Sequence, residues 1–286
     1  MSDRGKIKAD LHMHSTASDG TDTPAQLLEK VQSLGLECFA LTDHDTFAGV
    51  LEIRGRIPEG LRFVPGIEFS CRYRNKWQCH VLGYGMDLAD PHIRGTVKKA
   101  HDMRLDKLKI RIGRLEEDHK IRFSGEELEW LEQQTCPGKP HLAELLIKDG
   151  HASGFKEAFD TFLGKVHTGI WMEPETAVSG ILSSGGLPVW AHPFGEKETS
   201  FTAPEIVEER VKIMKEMGLA GLECYYSKYS KQQIRFLKEL AARYGLLVSG
   251  GSDYHGTRKT VSIGQLGSEG DRPSIEELTI LGALRN

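Results

Sequence analysis

Residues 7–44 read IKADLHMHSTASDGTDTPAQLLEKVQSLGLECFALTDH. A β-rich apolar run (7–14) precedes Thr23, a helix N-cap with Pro24 at N1; a helical pattern then covers 24–34, and a second β-rich run covers 37–44. Strand, helix and strand in succession form the repeating unit of an α/β sheet or barrel. Five further runs have the same strand character: RFVPGIEFS (62–70), CHVLGYG (79–85), LPVWAHP (187–193), AGLECYY (220–226) and GLLVSGGSD (245–253). Seven strands are therefore predicted, with another helix over 230–244. In such folds the reactive groups gather at the carboxyl ends of the strands.

The stretch 97–171 interrupts this rhythm. Rich in charged helix formers and without a strand until HTGIW (167–171), it reads as an inserted helical subdomain, leaving 1–96 and 172–286 as the α/β domain. Within it Leu105, Leu108, Ile112 and Leu115 form an apolar stripe at helical spacing. Arg104, Lys107, Arg111 and Arg114 repeat that spacing beside it, as either a solvated helix edge or a phosphate-binding one. Residues 267–273 read as a loop before a last helix capped by Ser274, with Glu277 at N3.

Composition limits the function. The 286 residues suffice for one large domain, and 37 Lys plus Arg against 41 Asp plus Glu, net −4, give no reason to expect a duplex DNA binder. The five cysteines are scattered and form no Cys-x-x-Cys pair, so neither a disulfide framework nor a thiolate zinc site is expected, and a reducing cytoplasm fits. The start lacks the apolar core of a secretory signal, and no run approaches the roughly 20 apolar residues that span a bilayer. No heptad pattern indicates an oligomer.

The apolar runs end repeatedly in His, Asp or Glu, which is costly unless those groups bind something. His12 and His14, two apart on a strand, project from one face and can share an ion. Thr42-Asp43-His44-Asp45 ends the second run, Glu68 lies near the end of the third, and Cys79-His80 begins the fourth. His192 and the segment Ser252-Asp253-Tyr254-His255 follow the later ones. A lone strand-end His is ordinarily hydrogen-bonded, and a lone Asp ordinarily caps the next helix. Six elements carrying such groups at converging ends are most economically explained by a multi-metal cluster, since carboxylates packed together without cations would repel. Phosphate-loop, nucleophile-elbow, H-E-x-x-H and dinucleotide-binding motifs are absent from the sequence.

DLHMHS, TDHD, the His of AHP and GSDYH resemble the four motifs of the PHP (polymerase and histidinol phosphatase) superfamily, over nearly the whole chain. Motif order and the insertion most resemble its stand-alone phosphoesterases, which include 3',5'-nucleoside bisphosphate phosphatases and exonucleases trimming short oligoribonucleotides. The resemblance implies a distorted (β/α)7 barrel with three divalent metal ions. It implies that His12, His14 and Asp253 hold one ion, with Glu68 bridging to another; Asp19, His44 and His255 a second; and His80 and His192, with Glu68, the third. Imidazole and carboxylate without thiolate suit Mn, Fe or Zn. The implied chemistry is in-line attack on phosphorus by a metal-bound hydroxide, with the general acid unassigned. Arg104 and Lys107 stand where relatives present an Arg-x-x-Arg pair, and Lys139-Pro140-His141 resembles their Arg-Thr-His. Arg104, Lys107, Lys139 and His141 are therefore the expected substrate contacts, although Lys loses the planar fork of Arg at two of these positions. The expected partner is a small phosphorylated nucleotide, 3',5'-adenosine bisphosphate first, or a short oligonucleotide. Another small monoester such as histidinol phosphate is one alternative, and a non-catalytic metal- or nucleotide-binding module is the other. The remaining histidines (His92, His101, His119, His151, His167) and the four tryptophans read as surface, capping or packing residues.

Overall fold

The computed structural model describes residues 9–164, 166–196 and 200–284. Its sheet has seven strands in sequential order: β1 (Ala9–Asp10), β2 (Cys38–Leu41), β3 (Arg62–Tyr73), β4 (Trp77–Tyr84), β5 (Leu187–Ala191), β6 (Gly221–Tyr226) and β7 (Leu247–Gly251). Each lies within or around a predicted run. β1 is shorter than expected: past Asp10 only Met13 forms a bridge, to Tyr254, while residues 7 and 8 lie outside the described residues. That bridge, with Leu11 N donating to Gly250 O (3.2 Å) and Asp253 N to His12 O (2.8 Å), brings β1 against β7 and nearly closes the barrel. The approach requires glycine, because a Cβ at Gly251 would run into the Cβ and backbone nitrogen of His12.

The distortion of this α/β barrel has a clear origin. β4 is antiparallel to both β3 and β5, whereas all other neighbours are parallel. Arg74 to Lys76 connect β3 to β4, too few residues for the helical crossover a parallel pair requires. β4 therefore starts at the rim where its neighbours end, which puts His80, opposite Ala191 of β5, beside their carboxyl-end residues.

Helices α1 (Pro24–Ser33) and α2 (Ala48–Ile53) follow β1 and β2. Thr23 caps α1 as predicted, and a capping box with Gln26 adds to it. Between β4 and β5 come α3 (Pro91–His119), which begins before residue 97, then α4 (Gly125–Glu132), α5 (Lys139–Lys148) and α6 (Phe155–Glu157), the last continuing as a π-helical turn. Ile93 and Ala100 of α3 join the barrel core, whereas Leu108 and Leu115 join a separate apolar cluster with Leu131, Leu142, Leu146 and Leu163. The predicted stripe is thus buried at Leu108 and Leu115 and partly buried at Leu105 and Ile112. α7 (Pro174–Ser183), α8 (Pro204–Glu216), α9 (Lys231–Tyr244, boxed by Ser230 and Gln233) and α10 (Ile280–Ala283) complete the barrel.

Two local expectations fail. HTGIW is not a strand: the chain pairs only at Met172, which bridges Cys71 of β3. The last helix begins at Ile280 rather than after Ser274. Ser274 and Glu277 do exchange hydrogen bonds, but the Glu277 carboxylate is also drawn to Tyr225 and Lys238 (both 2.9 Å) and Leu278 enters the core, so only a turn forms there. The five cysteines are free and buried. Among the described residues no helix is long and apolar enough to cross a membrane.

Candidate metal centre

Glu68 lies at the centre of a ring of imidazoles. Its Oε2 is 3.3 Å from His12 Nε2, 3.2 Å from His14 Nε2 and 3.1 Å from His44 Nδ1. Its Oε1 is 2.9 Å from His80 Nδ1 and 3.1 Å from His192 Nε2. His255 stacks on His14 with ring centroids 4.0 Å apart and reaches Asp19 at 3.3 Å, and Asp253 lies 3.6 and 3.4 Å from His12 and His14. All nine residues expected as ligands therefore converge on one rim. Four overlapping groups can each place donor atoms around one cation: His14, Asp19, His44 and His255; His12, His14 and Asp253; His44, Glu68 and His80; and His80, His192 and Glu196.

The donor set fits divalent cations. Glu68 Oε2, His44 Nδ1 and His14 Nδ1 are buried without a hydrogen-bond partner, and His12 Nε2 and His14 Nε2 face each other at 3.1 Å. Orphaned buried acceptors are expensive, and converging lone pairs are what a cation satisfies. Protonation cannot satisfy them all. Burial, with His14 and His80 adding repulsion, pushes His44 down to about 3 despite Glu68 and Asp19 nearby. Burial alone would raise Glu68, yet the surrounding histidines hold it well below the usual carboxylate range.

The supporting shell was only partly legible. Glu223, fully buried in β6, accepts from His12 Nδ1 (2.8 Å) and from the backbone nitrogen of His192 (2.8 Å), orienting one ring and holding the other residue's backbone at φ 31°. A carboxylate inside the run Leu222 to Tyr226 was its available signal. Glu196, four residues beyond His192 across a turn, and Lys259, 2.5 Å from Asp253, were not singled out. Asp253 also accepts from Tyr226 Oη (2.9 Å). Asp43 anchors the loop carrying Asp19 by accepting from Ser15 Oγ (2.7 Å) and Ser18 Oγ (2.6 Å), and Asp10 does the same where β1 meets β7. Burial raises Asp10 to about 6.

The expected substrate residues separate into two places. Arg104 pairs with Asp45 at 2.6 Å and donates to Ser70 Oγ at 3.3 Å, next to His44 and Glu68. His141 is buried with Nδ1 unpartnered and is lowered to about 4 by burial and then Arg258. Lys107 instead lies over the Trp171 ring, 4.4 Å from its centroid, and Lys139 lines a neighbouring cavity. The basic row of α3 is not a solvated edge: Lys107 and Arg111 are buried, and only Arg114 is fully outward, paired with Glu117.

Residues 10–173 match the family model of the PHP domain. A phosphoribosyl 1,2-cyclic phosphate 1,2-diphosphodiesterase from Eggerthella lenta is 32% identical over 257 residues, 86% of this chain and 94% of the relative. A 3',5'-nucleoside bisphosphate phosphatase from Chromobacterium violaceum is 28% identical over 251 residues, 86% of each chain. Among solved structures, a chain from Bifidobacterium adolescentis assigned as a metal-dependent phosphoesterase superposes with a TM-score of 0.80 at 26% identity, covering 99% of this chain and 98% of that one. Hydrolysis of phosphoric esters is common to all three and lies within reach of this donor set, so the class is a metal-dependent phosphoesterase, a hydrolase. The chain belongs to the PHP domain family, as its four motifs indicated.

Proposed function

We propose that this hydrolase removes phosphate from a small ribose compound bearing two phosphoryl groups, with 3',5'-adenosine bisphosphate the favoured substrate. The observation that carries the reading is the convergence of nine His, Asp and Glu side chains with Glu68 among them at the centre, and buried cationic side chains beside them. His12, His14, Asp19, His44, Glu68, His80, His192, Asp253 and His255 would hold three divalent ions, of Mn, Fe or Zn, with Glu196 an added donor. Divalent ions in such a site acidify water and neutralise charge on phosphoryl oxygens. Glu223 fixes the His12 ring, and Asp43 fixes the loop bearing Asp19. Arg104, held by Asp45 and Ser70, is placed to grip the phosphoryl group, and residues 97–171 act as a cap over the rim. Buried His141 stays neutral and offers one ring nitrogen to the substrate. The five buried thiols suit a cytoplasmic setting.

A cyclic phosphodiester is the second reading, favoured by the Eggerthella relative. The test is phosphate release by Mn²⁺-loaded protein from 3',5'-adenosine bisphosphate, 5'-AMP, histidinol phosphate and a ribose cyclic phosphate diester, with ring opening followed for the last. Preference for the bisphosphate supports the first reading, and preference for either simple monoester overturns it. Ring opening without monoester release establishes the second.

Lys107 makes a pH-dependent prediction. Burial and then Arg104 lower its ammonium to about 8, so it is protonated below that pH and neutral above it. Affinity of metal-free protein for the bisphosphate is expected to fall as pH rises from 7 to 9.5. Lys107→Arg, which keeps its charge, is expected to flatten that dependence in titration calorimetry.

A further inference from the structure

We infer that a cavity of about 370 Å³ lined by Arg72, Arg111, Lys139 and Trp171 is a second anion-binding subsite, which takes a phosphate group of the substrate remote from the one being hydrolysed. The inference rests on the phosphoesterase reading above and adds to Lys139, already an expected contact, three residues that neither the motifs nor the metal centre required: Arg72, Arg111 and Trp171.

Charge is the first argument. Among the described residues no carboxylate lines the cavity. Arg111 is 9% exposed and its Nε has no hydrogen-bond partner, and the buried Nε of Arg72 has none. Lys107 and Arg72 both lie over Trp171, at 4.4 and 5.5 Å from the ring centroid. Among the described residues, Arg104 is paired with Asp45, yet no carboxylate pairs with Arg72, Lys107 or Arg111. Burying cations without a counter-charge is costly, and burial followed by Arg104 depresses Arg111 to about 10. An anion in the cavity supplies the missing charge, and guanidinium groups offer the planar fork that grips phosphate.

Placement is the second argument. Gln78 lines both this cavity and the neighbouring one formed by His80, His192 and Glu196, so the two spaces meet across a single side chain. Glu68, Ser70 and Arg72 alternate along one face of β3, and Arg104, Lys107 and Arg111 descend α3 in parallel. Two strand residues from Ser70 to Arg72 and seven helix residues from Arg104 to Arg111 put the subsite roughly 7 to 10 Å beyond the Arg104 contact. One extended molecule must therefore carry both anions. The wall is fixed in place, since Arg72 N donates to Met172 O at 2.8 Å and Cys71 bridges Met172. Because Trp171 already carries two cations, the cavity recognises charge and not a stacked base.

The test compares Arg111→Gln and Arg72→Gln with wild type in two measurements. In titration calorimetry on EDTA-treated protein, affinity for 3',5'-adenosine bisphosphate is expected to fall about tenfold in each variant, and 3'-AMP and 5'-AMP are expected to separate: the one whose phosphate occupies the subsite falls about tenfold and the other about twofold or less. In turnover, the ratio of kcat/KM for the bisphosphate to that for p-nitrophenyl phosphate is expected to fall about tenfold. A 5'-phosphorylated dinucleotide run alongside identifies the source of the anion: if only its binding responds, the subsite holds the phosphate of a neighbouring nucleotide. Unchanged affinities and ratio in both variants would overturn the inference, as would equal losses for 3'-AMP and 5'-AMP. If wild type hydrolyses no ester, the proposed function fails, and the metal-free binding comparison still decides the subsite. Arg111→Lys is expected to recover part of the affinity, which a purely structural role for the guanidinium would not produce.

Discussion

Glu68→Gln is expected to abolish phosphate release, lowering kcat at least about a thousandfold while the protein remains folded. Among the described residues no other side chain touches as much of the centre: His12, His14 and His44 surround one of its oxygens, and His80 and His192 the other. The amide keeps the shape and removes the charge. It also places a hydrogen-bond donor against imidazole nitrogens whose lone pairs point inward, or turns its single oxygen to one side of the ring and forfeits the other. Metal content measured by plasma mass spectrometry should fall together with activity. Full metal occupancy with wild-type kcat would remove Glu68 from the proposed ligand set. Glu223→Gln is a milder counterpart: it perturbs the orientation of His12 and His192 without removing a proposed ligand, so a loss of about 10- to 100-fold is expected.

Stripping the metal with EDTA is expected to bring turnover to background and to lower Tm by on the order of 10 °C, with both restored by Mn²⁺. The reason lies in the composition of the rim. His12, His14, Glu68 and Asp253 are at most 3% exposed, and His44 Nδ1 and Glu68 Oε2 lack hydrogen bonds although they are 3.1 Å apart. A ligand that binds only the folded state stabilises it by about 4 kcal/mol when present at a thousand times its Kd, which accounts for a shift of that size in a chain of this length. Scanning calorimetry of the stripped and reloaded protein measures it. An unchanged Tm with intact activity after verified metal removal would contradict metal dependence.

Much of this molecule is legible along the chain. The seven strand runs, the cap at Thr23, and the polar residues that interrupt apolar runs follow from local rules, whereas Asp19 lies in a loop and was expected as a ligand only from the family resemblance. Alternation reports which side chains share a face, and a buried carboxylate or imidazole is costly enough to signal a ligand. The hairpin between β3 and β4 was within reach too, because the residues between the two runs (71–78) are too few for a parallel crossover. Glu223 carried the same signal as Glu68 inside an equally apolar strand. The spacing that exposes a pattern does not say which member of it binds and which supports.

Other features were decided only when distant segments met. The short pairing of β1, its closure on β7, and the turn that replaces the helix after Ser274 depend on contacts with residues far away in sequence, such as Tyr254 and Lys238. The basic row of α3 shows the division most clearly. The sequence by itself determined that Arg104, Lys107, Arg111 and Arg114 recur at helical spacing; it did not determine which of them face water. Packing of that helix against Asp45, Trp171 and β3 buried the first three to different depths and left Arg114 outside. Periodicity is a property of one element, whereas burial, and with it the energy of an uncompensated charge, belongs to the surfaces that several elements bring together.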